Sequence, residues 1–351
     1  MRFPGFGGEW KTLFVDDVCP EFQSGKNIKA ENIKSEGLYP VYGGNGLRGY
    51  TDIYNHDGTY VLIGRQGALC GNVRLVEGRN YITEHAIAVS SSNEHCIYFL
   101  YYLFYKMNLG QYSDQSAQPG LAVNKLLRLK LHIPLKDEQT KIAKILTLLD
   151  TRIATQNKII EDLKKLKVAI RDRELNSIRK HYGLNMQISE MLDYEQPSKY
   201  IVSETEYLNN KELTPVLTAN KSFILGYTDE PFNIYDKGEC IILDDFTLDC
   251  KLVNFAFKVK SSAIKILTPK NDILLRYVYE YLNFLNLETT EHKRHYISEI
   301  EPMLIAYPDS NENVITFCDL MDKFDKKIEI ENKYLQSLLS QKNYLLSNMF
   351  I

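Results

Sequence analysis

"IAKILTLLDTRIATQNKIIEDLKKLKVAIRDRE", residues 142–174, decides how this chain is organised. Ile142, Leu146, Leu149, Ile153, Gln156, Ile160, Leu163, Lys167, Ile170 and Glu174 step by four and three, the spacing that keeps one stripe of a helix against a partner. Adding 175 to each gives Phe317, Met321, Phe324, Ile328, Glu331, Leu335, Leu338, Lys342, Leu345 and Met349. Seven of these positions are apolar in both copies, while Gln156 with Glu331 and Lys167 with Lys342 are polar in both, and unrelated helices do not keep their interruptions in step. The chain reads as two similar halves, each ending in a long helix.

The repeat continues upstream. "YPVY" at Tyr39–Tyr42 faces "TPVL" at Thr214–Leu217, and "GYTD" at Gly49–Asp52 returns at Gly226–Asp229. The β-type runs "YVLIG" from Tyr60 and "AIAVS" from Ala86 find counterparts in "CIIL" from Cys240 and "AFKVK" from Ala256. The aromatic helix from Cys96 answers that from Ile273, with Tyr101 and Tyr105 matched to Tyr277 and Tyr281. Drifting offsets fit a shared scaffold with loops of unequal length.

With 351 residues, 44% hydrophobic, the chain can bury two cores. No run of eighteen apolar residues and no signal-like N-terminus are seen, so a cytoplasmic protein without membrane contact is expected. Six scattered cysteines without a CxxC pair suggest neither zinc nor a disulfide framework. The net charge of −3 does not mark a nucleic-acid binder, but residues 1–175 hold 23 Lys plus Arg against 19 Asp plus Glu, so a basic face would be local. Catalytic signatures are poor. In "GFGGEWKT" (Gly5–Thr12) Trp10 stands where a phosphate loop needs glycine, and "YGGNGLRGY" (Tyr42–Tyr50) lacks the helix and acidic residue of a dinucleotide site. His292 and His295 beside Glu291 have ligand-like spacing, but Lys293 and Arg294 between them argue against a metal.

Three stretches then carry a resemblance: "RFPGF...EW" (Arg2–Trp10), "QSAQPGLAVNKL" (Gln115–Leu126), and "IPLKDEQTKIAKILTLLDTRIATQNKIIEDLKKLK" (Ile133–Lys167). The last is repeated, in more degenerate form, at Ala306–Leu339, where Glu312-Asn313 replaces Glu-Gln. Together they resemble the specificity subunit of type I restriction-modification systems. The resemblance implies an α+β chain. Two similar mixed α/β target-recognition domains, residues 1–136 and 179–308, are separated by spacer helices at 137–178 and 309–351 that form an antiparallel coiled coil with pseudo-two-fold symmetry. It also implies a non-catalytic reader of a bipartite double-stranded DNA site that recruits two methyltransferase subunits and then restriction subunits. No cofactor is expected in this chain; S-adenosylmethionine would belong to the methyltransferase partner. A coiled-coil scaffold that never touches DNA is the alternative reading.

The polar seam positions favour antiparallel helices, because a parallel pair would set Lys167 beside Lys342. Partners summing to 498 would place Lys167 against Glu331, Gln156 against Lys342, Ile160 against Leu338 and Leu163 against Leu335. Asp137 is expected to cap the first helix, and Asp309 with Glu312 to form a capping box on the second.

Major-groove reading uses forked donors on loops or helix ends. Candidates in the first half are Tyr42, Asn45, Arg48 and Tyr50 around the glycine loop, Arg65 and Gln66 after the Tyr60 run, and Arg74. In the second half they are Asn220 and Lys221, then Asp244, Asp245 and Lys251, with Lys293 and Arg294 as phosphate binders. Pro119 and Gly120 suggest that "QSAQPGLAV" is a structural turn.

Overall fold

The computed structural model describes residues 2, 5–114, 119–219, 222–289 and 293–350. They fall into two compact units, one of residues 1–158 with 332–351 and one of residues 159–331.

In chain order the first unit carries β1 (Lys11–Phe14), α1 (Val15–Val18), β2 (Phe22–Ser24), β3 (Tyr39–Gly43), β4 (Gly46–Thr51), β5 (His56–Asp57), β6 (Tyr60–Gly64), β7 (Val73–Val76), β8 (Arg79–Ile82) and β9 (Ala86–Val89). Helices α2 (Ile97–Met107) and α3 (Val123–Leu127), strand β10 (Lys130–Ile133) and the long α4 (Lys136–Tyr182), whose residues from 159 on belong to the second unit, follow. The second unit carries β11 (Met186–Gln187), α5 (Ile188–Met191), β12 (Leu192–Glu195), β13 (Thr214–Leu217), β14 (Ile224–Thr228), β15 (Cys240–Asp244), β16 (Cys250–Val253), β17 (Lys258–Val259) and β18 (Ile264–Pro269). It is completed by α6 (Leu275–Leu285), β19 (Leu304–Ile305) and α7 (Asn311–Met349), whose last turns belong to the first unit.

Sheet order makes the duplication explicit. The first unit pairs β2-β9-β6-β7, β4-β3-β8-β5 and β1-β10; the second pairs β12-β18-β15-β16, β14-β13-β17 and β11-β19. In each, one strand, β3 or β13, is antiparallel to its hairpin partner, β4 or β14, and parallel to its other neighbour, β8 or β17. The returning "GYTD" has a steric basis. Gly49 (φ +149°) and Gly226 (φ +158°) sit at equivalent bulges, where a Cβ would come within 2.6 Å of Lys34 O and 2.4 Å of Tyr207 Cβ.

Two sequence matches need correction. "AFKVK" contains β17, the counterpart of β8 rather than of β9; the counterpart of β9 is β18, because each pairs with the first strand of the hairpin in its four-stranded sheet, β6 or β15. Short apolar runs with period two look alike, and only pairing separates them. Helices α2 and α6 likewise align with an offset of 178: Phe99, Leu100, Tyr102, Leu103 and Phe104 are buried in one, Tyr277, Val278, Glu280, Tyr281 and Leu282 in the other. Both end on an asparagine in the left-handed region, Asn108 and Asn286. Tyr101 therefore corresponds to Tyr279, not Tyr277.

The heptads form α4, 47 residues long, and α7, 39 residues long. Helix α4 stops before Gly183 (φ +70°), whose N–H donates to Arg179 O. Every seam residue named from the sequence is buried or half-buried. In the first unit Ile142, Ala143 and Leu146 share a core with Leu346, Met349 and Phe350; in the second, Leu175 shares one with Val314, Phe317, Cys318 and Met321. Within each unit the two helices thus run antiparallel.

The ion pairs differ from the 498 register. Lys167 meets Asp325 at 2.7 Å and Glu280 at 3.2 Å, where Glu331 was expected opposite it; Lys342 meets Asp150, where Gln156 was expected. A two-helix reading could not include α6 or α2, which supply Glu280 against Lys167 and the Tyr102 and Tyr105 rings beneath Lys342. The caps differ too. Asp137 lies inside the first turn of α4, and Ser310 rather than Asp309 accepts from Glu312 N–H. The Glu-Gln motif ties neighbours to the helix: Glu138 receives a bidentate bond from Arg2 at 2.8 Å, and Gln139 accepts from Cys96 N–H at 2.8 Å.

Candidate nucleic-acid interface

Glycines build the platform of the first unit. The β3–β4 hairpin turns at Gly44-Asn45, and a Cβ on Gly44 would lie 2.7 Å from His85 O and 3.2 Å from Gln66 O. A Cβ on Gly64 would meet Leu69 O at 2.6 Å and Gly44 O at 2.7 Å, and one on Gly46 (φ +103°) would meet the Arg74 guanidinium at 2.9 Å. Three segments, the hairpin tip, the β6–β7 turn and the β8–β9 turn, are therefore packed backbone to backbone, as only glycine allows. A fourth joins them: Arg65 N–H donates to His85 O (2.9 Å), Leu121 N–H to Arg65 O (2.9 Å) and Gly67 N–H to Pro119 O (3.1 Å).

This framework brings Asn45, Arg48, Arg65, Gln66 and Arg74 to one edge. Asn45, Arg48, Gln66 and Arg74 are exposed and Arg65 is half-exposed, with the Arg48 stem running over Gly43. Forked donors on a rigid main-chain frame suit base edges and phosphates. Tyr42 and Tyr50 lie elsewhere. Tyr42 packs on the cluster of Leu62, Val76, Ile82, Ala86 and Ala88; Tyr50 is away from the tip, its main chain exchanging bonds with Lys34 at 2.8 and 2.9 Å. Gly120 bridges to Gln66 at the platform, while residues 115–118 of the expected turn lie outside the described residues.

The second unit repeats the frame with different side chains. Asp245 N–H donates to Ala263 O (2.8 Å) and His295 N–H to Asp245 O (3.0 Å), the same two bonds that Arg65 and Leu121 make. Asp245 thus stands where Arg65 stands. Its carboxylate is buried, accepts from His295 and Tyr296 N–H (3.0 and 2.7 Å) and faces Lys265 at 3.5 Å. Asp244 is buried as well and caps its own turn by accepting from Phe246 and Thr247 N–H. Both aspartates therefore organise the loop instead of projecting from it, as an anion buried there must be hydrogen-bonded.

Lys251 pairs with Ile242 as Arg74 pairs with Leu62, so the same strand position carries a cation in both units. Arg294 is exposed, with its guanidinium 3.4 Å from Ser262 Oγ and 5.9 Å from the Phe246 ring centroid. Lys293 meets Glu299 at 3.1 Å, and His295 Nδ1 meets the same carboxylate at 2.9 Å. Hydrogen bonds from His295, then Lys293, hold Glu299 below the usual carboxylate range. Asn220, Lys221, Glu291 and His292 lie outside the described residues. His85, Phe246 and Ser262 were not marked by the sequence, since no motif or period flags a side chain at a turn.

The two duplicated mixed units and the long helices that run through both give the chain a fold that known proteins share. Residues 7–165 match the family described as type I restriction modification DNA specificity domain. The chain is 49% identical over 148 residues to the type I restriction enzyme EcoprrI specificity subunit of Escherichia coli, covering 41% of this chain and 36% of that protein. Identity is 43% over 151 residues to the EcoR124I/EcoR124II specificity subunit of Escherichia coli, covering 40% and 37%. The match spans little more than a third of those relatives' length. The solved S subunit of a type I restriction-modification system from M. genitalium superposes with a TM-score of 0.68 at 19% identity, over 99% of this chain and 97% of that one. A chain from a structural study of complex assembly and conformational transition of the type I R-M system gives 0.57 at 12% identity, over 98% of each. At these identities the solved structures establish the fold. Over residues 7–165 the chain is thus similar to a type I restriction modification DNA specificity domain, and over about 40% of its length to type I restriction enzyme specificity subunits. Among the described residues no helix is long and apolar enough to cross a membrane.

Proposed function

We propose that this chain selects the DNA sequence for a type I restriction-modification complex, each platform reading one half of a bipartite double-stranded site. The observation that carries this is the convergence of Asn45, Arg48, Arg65, Gln66 and Arg74 on one glycine-built edge, together with the cation Lys251 at the Arg74 position of the second unit. The helices α4 and α7 space the two readers and receive two methyltransferase subunits, to which restriction subunits add. Methyl transfer from S-adenosylmethionine and cleavage take place in those partners.

The test is selection of duplexes from a randomised pool by the chain assembled with its methyltransferase partner. Two short conserved half-sites at a fixed gap are expected. Retention of DNA with no sequence preference, or no retention with the partner present, would leave only a scaffold.

A further inference from the structure

Gln66 Oε1 stands 3.2 Å from His85 Nδ1, and the other ring nitrogen, Nε2, stands 3.2 Å from Glu84 Oε1. We propose that His85 is a positioning residue that turns the Gln66 amide into an adenine-reading fork, an inference that rests on the DNA-reading function above.

Main-chain bonds fix both residues: Arg65 N–H donates to His85 O, and Gln66 bridges to Gly120. Only the end of the Gln66 side chain remains to be set. The Glu84 carboxylate can only accept, so it accepts a hydrogen bond from Nε2–H. A ring that carries its one proton on Nε2 has its lone pair at Nδ1. An amide whose oxygen and nitrogen exchange on a half-turn must present an N–H to that lone pair. The carbonyl oxygen and the second N–H are left pointing outward as one acceptor and one donor. This is the complement of adenine N6–H and N7, whereas guanine offers two acceptors, O6 and N7, and meets the oxygen with repulsion. Orienting the amide before DNA arrives also spares the rotamer entropy that a free glutamine loses on binding.

The experiment is selection from randomised duplexes by the complex with its methyltransferase partner, comparing wild type with Gln66→Ala, His85→Ala and His85→Lys, and with melting temperatures recorded for each. One base position in one half-site is expected to prefer adenine over guanine, and Gln66→Ala to abolish that preference, roughly tenfold or more. His85→Ala should lower it by roughly three- to tenfold with every other position, total affinity and melting unchanged. His85→Lys presents donors only to the Gln66 oxygen, turns both amide N–H groups outward and should move the preference toward guanine. The proposal is overturned if His85→Ala keeps an adenine preference that Gln66→Ala removes, if His85→Ala weakens all positions alike, or if Gln66→Ala alters no position. A wild-type complex without any sequence preference would instead overturn the functional reading itself.

Discussion

Lys167 lies 2.7 Å from Asp325, and Lys342 and Asp150, each displaced by 175 residues, form the same pair in the other unit. What lies against each lysine differs. Lys167 also meets Glu280, only 2% exposed, whereas Lys342 sits over the neutral Tyr102, which donates to Asp150. Removing Lys167 leaves a buried carboxylate with Arg276 as its remaining cation, at a cost of about 2–3 kcal/mol. Lys342→Ala should cost only about 1 kcal/mol, because a tyrosine hydroxyl still satisfies Asp150. Urea midpoints of the two variants check the order; equal losses would show that Glu280 is not strained by the deletion.

Acid should weaken the second unit through the same aspartate. Burial opposes ionisation of Asp325, but hydrogen bonds from Lys167 and Arg276 outweigh it and hold the carboxyl below its ordinary range. The folded value is therefore below the unfolded one of about 3.9. The stabilisation is complete above that range and disappears as pH falls through the lowered folded value. Asp325→Asn should be less stable than wild type at neutral pH, and the gap should close in urea titrations carried to about pH 2.

Side chains on the platforms should separate by role. Arg65→Ala is expected to relax selectivity in one half-site only, by roughly 1–3 kcal/mol at a single position. Lys293→Ala should weaken binding to every sequence and lower the slope of log affinity against log salt by roughly one. Uniform loss in Arg65→Ala would make it a phosphate contact.

Thiol labelling should report the cores. Cys19, Cys240, Cys250 and Cys318 are buried, and burial pushes each thiol up to about 12. A thiol reagent at mildly alkaline pH should reach Cys70 and Cys96, which are only partly buried, and the other four only on unfolding. Rapid modification of Cys250 in the native chain would contradict the packing described.

The duplication, the long helices and their direction could be read from the sequence because the heptad stripe survives in both copies, polar interruptions included. The partners of Lys167 and Lys342 could not, since Glu280 and the tyrosine rings arrive from α6 and α2 and no spacing announces them. Strand matching slipped by one at "AFKVK" because alternation fixes a strand's face, not its neighbour. On the platform, the glycines of "YGGNGLRGY" signalled a loop, but their need for close approach to His85 O and the Arg74 guanidinium appears only in three dimensions. Asp245 shows the limit most sharply. It occupies the Arg65 position, yet its carboxylate turns inward to two N–H groups and Lys265.

That shared pair of amide bonds at Arg65 and Asp245 has an evolutionary corollary. Because peptide groups hold each socket together, an arginine in one copy and an aspartate in the other leave the architecture intact. If the platforms read DNA as proposed, target preference can drift by exchange of individual side chains or whole turns, each head independently of its twin, while the inherited scaffold stays as it was.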